Sequence, residues 1–415
     1  MRDLLFLCHR VPYPPNKGEK IRAWNILQHL AQKHRVHLAT FIDRAEDLRH
    51  VAKLQSVCAS MFWRSLSPII GRWRSLSSLV SGTPLTQGYF ADARFQAGLD
   101  GLVSRHKPDL IYVFSSSVAP YVRQHWGARV ICDMVDVDSA KWHQYAERSG
   151  GLARQIYSRE GRLLLALERQ VAERADAVLF VSRAEAELFA RLAPESASRI
   201  HVVNNGVDAE HFCPALSFSN PFGGRPAVVF TGTMDYRPNV EAMEWFVRQV
   251  MPRLRLHPLA PNLWIVGANP TRRVRALAGD DVFVTGSVPD VRPYLRHASA
   301  VVAPLKIGRG IQNKVLEGMA MGAAVVVTSE AREGLDGCCD DELFTADSAE
   351  AFSQAVARIL DGEGSRIGVR ARARVMRDYA WEGGFAKLDR LIEVVGCGQQ
   401  PSTVMAKLPL QVSGT

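Results

Sequence analysis

Short apolar runs alternate with stretches of helical periodicity along the chain, and this alternation constrains its fold more than any other feature. The first run, Asp3 to Cys8, is followed by a proline-rich loop and then by a stretch with apolar residues on one helical face. A second run, Val36 to Phe41, comes directly after that stretch. A strand, a helix and a second strand in this order form a βαβ unit with parallel strands. The sequence therefore predicts an α/β fold.

The alternation is interrupted once, and a second series of strands and helices follows. Near Phe212 to Pro226, proline, glycine, serine and asparagine dominate, as is typical of a linker. A chain of 415 residues is long enough for two domains. We therefore predict two Rossmann-like doubly wound domains facing across a cleft, with ligands at the carboxyl ends of the strands. The other predicted strands are Asp109 to Phe114, Arg129 to Met134, Ala177 to Ser182, His201 to Asp208, Ala227 to Thr231, Leu263 to Val266, Val282 to Thr285, Ala300 to Pro304 and Ala324 to Thr328, and the longer predicted helices are Leu152 to Arg174, Val240 to Leu256 and one from about Lys314.

Composition limits the kind of partner and the compartment. The formal net charge of +9 favours anionic partners, such as nucleotide phosphates, nucleic acid or an acidic membrane surface. The seven cysteines are scattered without a CxxC pair or metal-ligand spacing, which fits a reduced cytoplasm and predicts no metal site. The apolar start is too short for a signal segment, and no apolar run has the length to span a bilayer. We expect a cytoplasmic protein that is soluble or attached to a membrane surface.

The stretch from Gly308 to Glu317 has the residue types of a phosphate-binding loop. Gly308 and Gly310 precede a predicted helix, whose N-terminus offers N–H groups and a partial positive charge. Arg309 and Lys314 add cations, so a diphosphate fits this position. Glu317 lies on the same side of the helix as Lys314, and its carboxylate could accept two hydrogen bonds from a ribose diol. A loop of permissive glycines with a solvated ion pair is the alternative interpretation.

The sequence from Pro304 to Val327 resembles the nucleotide-sugar loop of the retaining family 4 glycosyltransferases, which have the GT-B fold. In both, a glutamate is followed by a helix of small residues and an apolar strand. The resemblance implies that Glu317 binds the donor ribose. Arg309 stands where the family has another glutamate, as in basic versions of this loop. The resemblance also implies that the diphosphate and the sugar are held by the backbone of four residues, with Lys314 beside them. These residues are Gly310, Ile311, Gln312 and Asn313.

Further stretches resemble the same family in the same order. Val203 to Pro214 resembles the junction between its domains. Phe230 to Asn239 resembles the first loop of the donor domain, which implies that Arg237 contacts the phosphates. Phe283 to Val288 resembles the strand and turn whose backbone, at Val288, reads the edge of the base.

The loop from Pro12 to Lys20 resembles a glycine loop of the family's N-terminal domain, with Glu19 in place of its second glycine. The resemblance implies that Gly18 approaches the donor. For Lys17 and Lys20, contact with phosphate and plain solvent exposure are the two interpretations.

The stretch from Cys132 to Ser139 follows a predicted strand and offers the acidic side chains for catalysis. Many relatives have a histidine here, and the corresponding residue is Val135. Asp133, Asp136 and Asp138 are the carboxylates nearby, and one of them could act as general base on an acceptor hydroxyl. A capping and turn role is the alternative. We predict Asp136 as the catalytic residue.

Taken together, these loops resemble the glycosyltransferases of bacterial exopolysaccharide (PEP-CTERM-associated) gene clusters. The resemblance implies transfer of a sugar from a nucleotide sugar to a glycan acceptor, which we expect to be lipid-linked. It also implies that the configuration of the sugar is retained and that the reaction needs neither a cofactor nor a metal ion. The alternatives are an epimerase of sugar nucleotides on the same fold and a non-catalytic nucleotide-sugar-binding scaffold. The predicted parts are an acceptor-side domain at 1–210, a nucleotide-sugar-binding domain at 211–377, a helix at 378–395 that packs back on the first domain, and a disordered tail at 396–415.

Two surface stretches raise the question of larger partners. Phe62 to Arg64 and Ile69 to Arg74 mix aromatic, aliphatic and basic residues, which suits a lipid headgroup interface. Packing of these aromatic residues onto the domain is the alternative. The basic stretch Arg366 to Arg377 has no interleaved aromatic residues, so we expect no nucleic-acid partner.

Overall fold

The computed structural model describes residues 1–15, 18–308, 310–335 and 337–398. These residues form two compact units. The first contains Met1–Val203 together with the chain from Phe385 onward, and the second contains Asn204–Gly384. Each unit is built on one parallel sheet, of seven strands in the first and six in the second. The prediction of two Rossmann-like α/β domains is confirmed.

The sheet of the first unit has the strand order β3-β2-β1-β4-β5-β6-β7. Alternate residues of β1, Asp3–Cys8, enter two separate apolar clusters: Leu5 and Leu7 pack in one, and Leu4 and Phe6 in the other. Both faces of the sheet are therefore covered, which explains why its strands are continuous apolar runs. The strands are β1 Asp3–Cys8, β2 Arg35–Ile42, β3 Ser60–Ser65, β4 Leu110–Phe114, β5 Arg129–Val135, β6 Ala177–Phe180 and β7 Ile200–Val202.

Helices cover the two faces of this sheet. The last helix of the described chain also contributes, because Leu388, Leu391 and Ile392 belong to the apolar cluster that contains Leu4 and Leu27. The helices are α1 Gly18–Lys33, α2 Val51–Gln55, α3 Pro68–Ser81, α4 Leu85–Phe90, α5 Ala93–His106, α6 Asp138–Glu147, α7 Gly151–Arg174 and α8 Arg183–Leu192, and the last helix, α17, is Trp381–Gly396.

The sheet of the second unit has the strand order β10-β9-β8-β11-β12-β13. Its buried strands and helices share one continuous apolar cluster. The strands are β8 Ala227–Thr231, β9 Asn262–Val266, β10 Val282–Gly286, β11 Ala300–Ala303, β12 Val325–Val327 and β13 Phe344–Thr345. The helices are α9 Arg237–Trp245, α10 Met251–Leu254, α11 Arg272–Arg275, α12 Arg292–His297, α13 Asn313–Ala320, α14 Ser329–Arg332, α15 Ala349–Arg358 and α16 Gly364–Asp378.

The predicted strands are all present, and the sequence analysis missed two. The interpretation that the aromatic residues of β3 pack onto the domain agrees with the structure, because Phe62 and Trp63 are half-buried against the two clusters of the first unit. The strand β13 has only two residues, too few for a periodic signal. The strand predicted from His201 to Asp208 ends at Val202, since an irregular segment with Asn204 and Asn205 follows.

Candidate functional site

The loops after β8 and β9 meet backbone to backbone at the carboxyl edge of the second sheet. Gly232 and Gly267 follow these strands with φ angles of 153° and 152°. A Cβ atom on Gly267 would lie 1.7 Å from the carbonyl oxygen of Gly232, so no side chain fits between the loops. The two glycines therefore allow the loops to touch, and we call this contact the glycine notch; it lies at the edge where parallel sheets bind ligands.

Lys314 lies beside the glycine notch, on the first turn of α13. Its Nζ donates a hydrogen bond of 2.7 Å to Oδ1 of Asn239 and lies 4.4 Å from the centre of the Phe230 ring. A Cβ atom on Gly232 would be 3.3 Å from the same nitrogen. The ammonium group is thus held at the notch by an amide and an aromatic face.

Glu317 lies one turn further along α13 and is coupled to Lys314. Burial raises the pKa of Glu317 to about 7, and the charge of Lys314 opposes this shift. Burial lowers the pKa of Lys314 to about 7, and the charge of Glu317 opposes that shift. Both side chains keep part of their surface accessible. A carboxylate and an ammonium group that titrate near neutrality are thus available to a ligand at the sheet edge.

Asn313 is the first residue of α13, and its amide group is buried. Among the residues that the structure describes, neither Oδ1 nor Nδ2 of Asn313 has a hydrogen-bond partner, and both atoms are inaccessible to solvent. A buried polar group of this kind is normally satisfied, by protein, water or a ligand. Together with the N–H groups at the helix N-terminus, it favours an anionic or hydroxyl-rich ligand.

The other predicted donor contacts lie on different elements of the second unit. Gly310 and Ile311 are buried in the loop before α13, and Gln312 directly precedes that helix. Arg237 begins α9 and is half-exposed, with its Nε 2.6 Å from Glu241. Val288 follows β10 and packs partly buried against the core. Arg309 lies outside the described residues.

In the first unit, Asp133 is committed to a buried ion pair. Its carboxylate accepts hydrogen bonds from Nε of Arg22 at 2.8 Å and Nη2 at 3.2 Å, and from the hydroxyl of Tyr112 at 2.6 Å. Arg22 also donates to the carbonyl oxygen of Val203 at 2.9 Å. Both charged side chains are fully buried. Asp133 therefore stabilises the domain, and of the three acidic candidates it is the least suited to meet an acceptor.

Asp136 follows a strained turn at the end of β5. Val135, in the position of the family's histidine, has a φ angle of 69°, which is unusual for a β-branched residue. The pairing of β5 with β6 shifts register between Asp133 and Val135. Asp136 is partly exposed, whereas burial raises the pKa of Asp138. Strain of this kind is concentrated at functional sites, and Asp136 directly follows the strained residue, although its Oδ1 atom is inaccessible to solvent.

The structure contains a charged cluster at the end of β1 that the sequence does not predict. His9 lies 3.3 Å from Glu19, and Arg10 donates to Glu19 at 3.1 Å. Burial raises the pKa of Glu19, but His9 and Arg10 lower it more, so its pKa lies well below the usual range. Lys20 is buried and pairs with Asp47 at 2.9 Å, so the interpretation of plain solvent exposure is wrong for this residue. A histidine after a strand carries no sequence signal of its own.

Gly18 is exposed at the N-terminus of α1, beside this cluster, and Lys17 lies outside the described residues. Among the described residues, no three His, Cys, Asp or Glu side chains form a group that could hold a metal ion. In the same part of the chain, no helix is both long enough and apolar enough to cross a membrane.

Two family models cover most of the chain. Residues 17–206 match the glycosyl transferase 4-like domain, and residues 225–362 match the glycosyl transferases of group 1. The chain is a glycosyltransferase. A search of curated proteins gave no match to it.

Solved structures show the fold of this glycosyltransferase. Sucrose-phosphate synthase from Thermosynechococcus elongatus is similar with a TM-score of 0.73 and 16% identity, over 96% of this chain and 100% of that one. HepE from Anabaena, in complex with UDP, has a TM-score of 0.66 and 15% identity, over 94% and 99%. TarM has a TM-score of 0.64 and 10% identity, over 94% and 98%. The glycosyltransferase therefore has the GT-B fold.

Proposed function

We propose that this glycosyltransferase transfers a hexosyl group from a nucleotide sugar to a lipid-linked glycan in exopolysaccharide biosynthesis, with retention of configuration. The observation that carries the proposal is the arrangement around α13. Asn313 presents a buried amide that has no partner among the described residues, Lys314 is held at the glycine notch, and Glu317 lies one turn away. Structures of HepE with UDP and with UDP-glucose favour a uridine nucleotide as donor.

Each part of this arrangement has a role in donor binding. The backbone from Gly310 to Asn313 holds the diphosphate, and Glu317 accepts hydrogen bonds from the ribose hydroxyls. Lys314, Arg237 and Arg309 stabilise the charge on the departing nucleoside diphosphate. The backbone at Val288 contacts the base, and Gly18 approaches the donor from the N-terminal domain.

The transfer step needs charge stabilisation and a proton acceptor. The bond between the anomeric carbon and the phosphate oxygen breaks, and both of its electrons leave with the nucleoside diphosphate. A bond then forms between that carbon and the acceptor oxygen, whose proton moves to Asp136. In this proposal the protein acts with its own side chains, without a cofactor or a metal ion.

The acceptor determines where the enzyme works. A glycan on a lipid carrier lies at a bilayer, so we propose that the enzyme acts in the cytoplasm at the inner face of the membrane. The net charge of +9 favours such an anionic surface.

The non-catalytic scaffold remains a second candidate because of Val135. A valine at the position of the family's histidine cannot take part in proton transfer or hydrogen-bond to the sugar. On this account the protein binds nucleotide sugars without turning them over.

A transfer assay distinguishes these functions. Wild type and Asp136→Asn are incubated with UDP-, GDP- or ADP-sugars and a lipid-linked glycan, and nucleotide release and product configuration are measured. The proposal predicts release from one donor class, an α-product from an α-donor, and loss of turnover with unchanged nucleotide affinity in the variant. Tight binding without turnover of any donor supports the scaffold, and a changed sugar nucleotide without transfer supports the epimerase.

A further inference from the structure

The helix α3 packs with its small residues inward and its large apolar residues outward. Gly71 and Ser78 are buried. A Cβ atom on Gly71 would lie 2.6 Å from the ring of Tyr89, and one on Gly88 of α4 would lie 1.9 Å from Oγ of Ser78. The side of α3 that meets α4 therefore has room only for small side chains. This orientation is the reverse of a normal surface helix, whose large apolar residues face the core.

The outward side of α3 forms an exposed apolar face. Ile69, Trp73 and Val80 are exposed by 67%, 70% and 92%. Large apolar residues this exposed are ordinary when single, but a contiguous group on one helix marks an interaction site. We call this group, which consists of Ile69, Ile70, Trp73, Leu76, Leu79 and Val80, the α3 face.

The α3 face is held rigidly by polar contacts from α7. Arg159 donates to the carbonyl oxygen of Ser78 at 2.7 Å, at the end of α3. Glu160 accepts hydrogen bonds from the backbone N–H groups of Leu85 at 2.8 Å and Thr86 at 3.2 Å, at the start of α4. These contacts anchor both sides of the α3–α4 turn, so the exposed orientation is built into the domain.

The charged side chains of α3 itself are both basic. Between Asp47 and Asp92 the sequence contains no acidic residue. Arg72 is exposed on α3, and Arg74 is half-buried. The basic residues of the interval are Arg49, Lys53, Arg64, Arg72 and Arg74. Arg74 pairs with Asp92 at 3.4 Å, whereas an apolar helix face that carries the exposed Arg72 matches a surface that is apolar inside and anionic outside.

We propose that the α3 face binds the surface of an anionic lipid bilayer. An exposed apolar helix face fits a fluid surface, which needs no shape complementarity. Pairing with a second copy would bring the exposed Arg72 side chains of two such helices together, which repulsion opposes. This interaction is a property of the first unit, so it stands whether or not the proposed donor and acceptor are correct.

Flotation with lipid vesicles tests the proposal. Wild type is compared with Ile70→Glu/Trp73→Glu and with Leu256→Glu/Val369→Glu, a control that changes two exposed apolar residues of the second unit. Wild type and control should bind vesicles of phosphatidylcholine and phosphatidylglycerol, and the α3 variant should bind them at least about tenfold more weakly. Arg72→Glu should weaken binding to anionic vesicles, and added salt should reduce this difference. Thermal unfolding of each variant checks that the fold is retained.

Two results would overturn the proposal. One is that wild type does not float with anionic vesicles, or that the α3 variant floats equally well. The other is that wild type is a dimer in light scattering and the α3 variant a monomer, with no vesicle binding by either, which would make the α3 face a self-association surface. Nucleotide binding, measured on the same samples, reports separately on the donor site.

Discussion

The Nζ of Lys314 lies 2.7 Å from Oδ1 of Asn239, and this hydrogen bond joins the first turn of α13 to the first turn of α9. The same amide donates 2.8 Å to the carbonyl oxygen of Thr233, in the loop after β8. Asn239 is buried, so one side chain fixes both the loop and the ammonium group. The position of the charge at the glycine notch thus depends on a residue that needs no contact with the donor.

Replacing Asn239 by alanine should weaken nucleotide binding by releasing Lys314 from the notch. We expect UDP to bind Asn239→Ala about tenfold more weakly and Lys314→Met more weakly still, because the second change removes the charge itself. Titration calorimetry measures both. Asn25→Ala is a matched control, since among the described residues the Asn25 amide bonds only the carbonyl oxygen of Ile21 on α1. Unchanged affinity in Asn239→Ala would contradict this role.

The glycine notch should not tolerate a methyl group. In Gly267→Ala the new atom meets the carbonyl oxygen of Gly232 at 1.7 Å, so the loops must separate. We expect loss of measurable UDP binding and destabilisation of the second unit by about 3 kcal/mol or more. Gly279→Ala is the control, because nothing lies within 4 Å of the added atom. Calorimetry measures UDP binding, and thermal unfolding measures the stability of the second unit. Equal affinity and equal stability of the two variants would exclude the steric argument.

The buried pair of Arg22 and Asp133 should dominate the stability of the first unit. Asp133→Asn leaves the Arg22 guanidinium without its counter-charge in the interior, and we expect a loss of about 3–5 kcal/mol. Tyr112→Phe removes one hydrogen bond to the same carboxylate and should cost about 1–2 kcal/mol. The free energy of unfolding of each variant is measured in urea, with hydrogen exchange of the α1 amides as the probe. A larger effect for Tyr112→Phe would show that the charge is not the main contribution.

Stability should fall with rising pH because of Glu168. Burial raises its pKa from 4.5 to about 8, while hydrogen bonds from Ser139 oppose this less strongly. The neutral form is preferred in the folded state, so this contribution is complete below pH 4.5 and is lost as pH rises through about 8. The loss on complete ionisation amounts to about 5 kcal/mol, since one pKa unit corresponds to about 1.4 kcal/mol.

Glu168→Gln keeps the shape of the side chain and removes the titration. Urea unfolding of the first unit at several values between pH 5 and about pH 8 should show a falling free energy in wild type and a flatter profile in the variant. Other groups of the first unit contribute to the slope that remains in the variant, such as Asp138, whose pKa burial raises, and His201, whose pKa burial lowers. Identical slopes in the two proteins would refute the assignment to Glu168.

The features that the sequence predicts correctly are those set by neighbouring residues, such as the bounds of a strand or the spacing along a helix. The strands β1 and β8 have the predicted bounds, because both are continuous apolar runs buried on two faces. The spacing of Lys314 and Glu317 is likewise fixed by helix geometry. Contacts between distant residues have no such signal: Asn239 and Lys314, or Arg22 and Asp133, meet only after the sheets form.

The helix α3 is a different case, because its apolar side chains recur with helical periodicity but point to solvent. Helical periodicity identifies a face without saying what covers it. The packing of Gly71 on Tyr89 decides the orientation, and that contact depends on the α3–α4 turn. The aromatic residues of β3, in contrast, are partly covered by the core.

The central claim, a nucleotide-sugar site with Glu317 at the ribose, is tested most directly by calorimetry. UDP and 2′,3′-dideoxy-UDP are titrated into wild type and Glu317→Ala. Two hydrogen bonds to one carboxylate predict that wild type prefers UDP by about tenfold or more, and that the variant binds both ligands equally. A preference that persists in Glu317→Ala, or a wild type that binds neither nucleotide, would contradict the account.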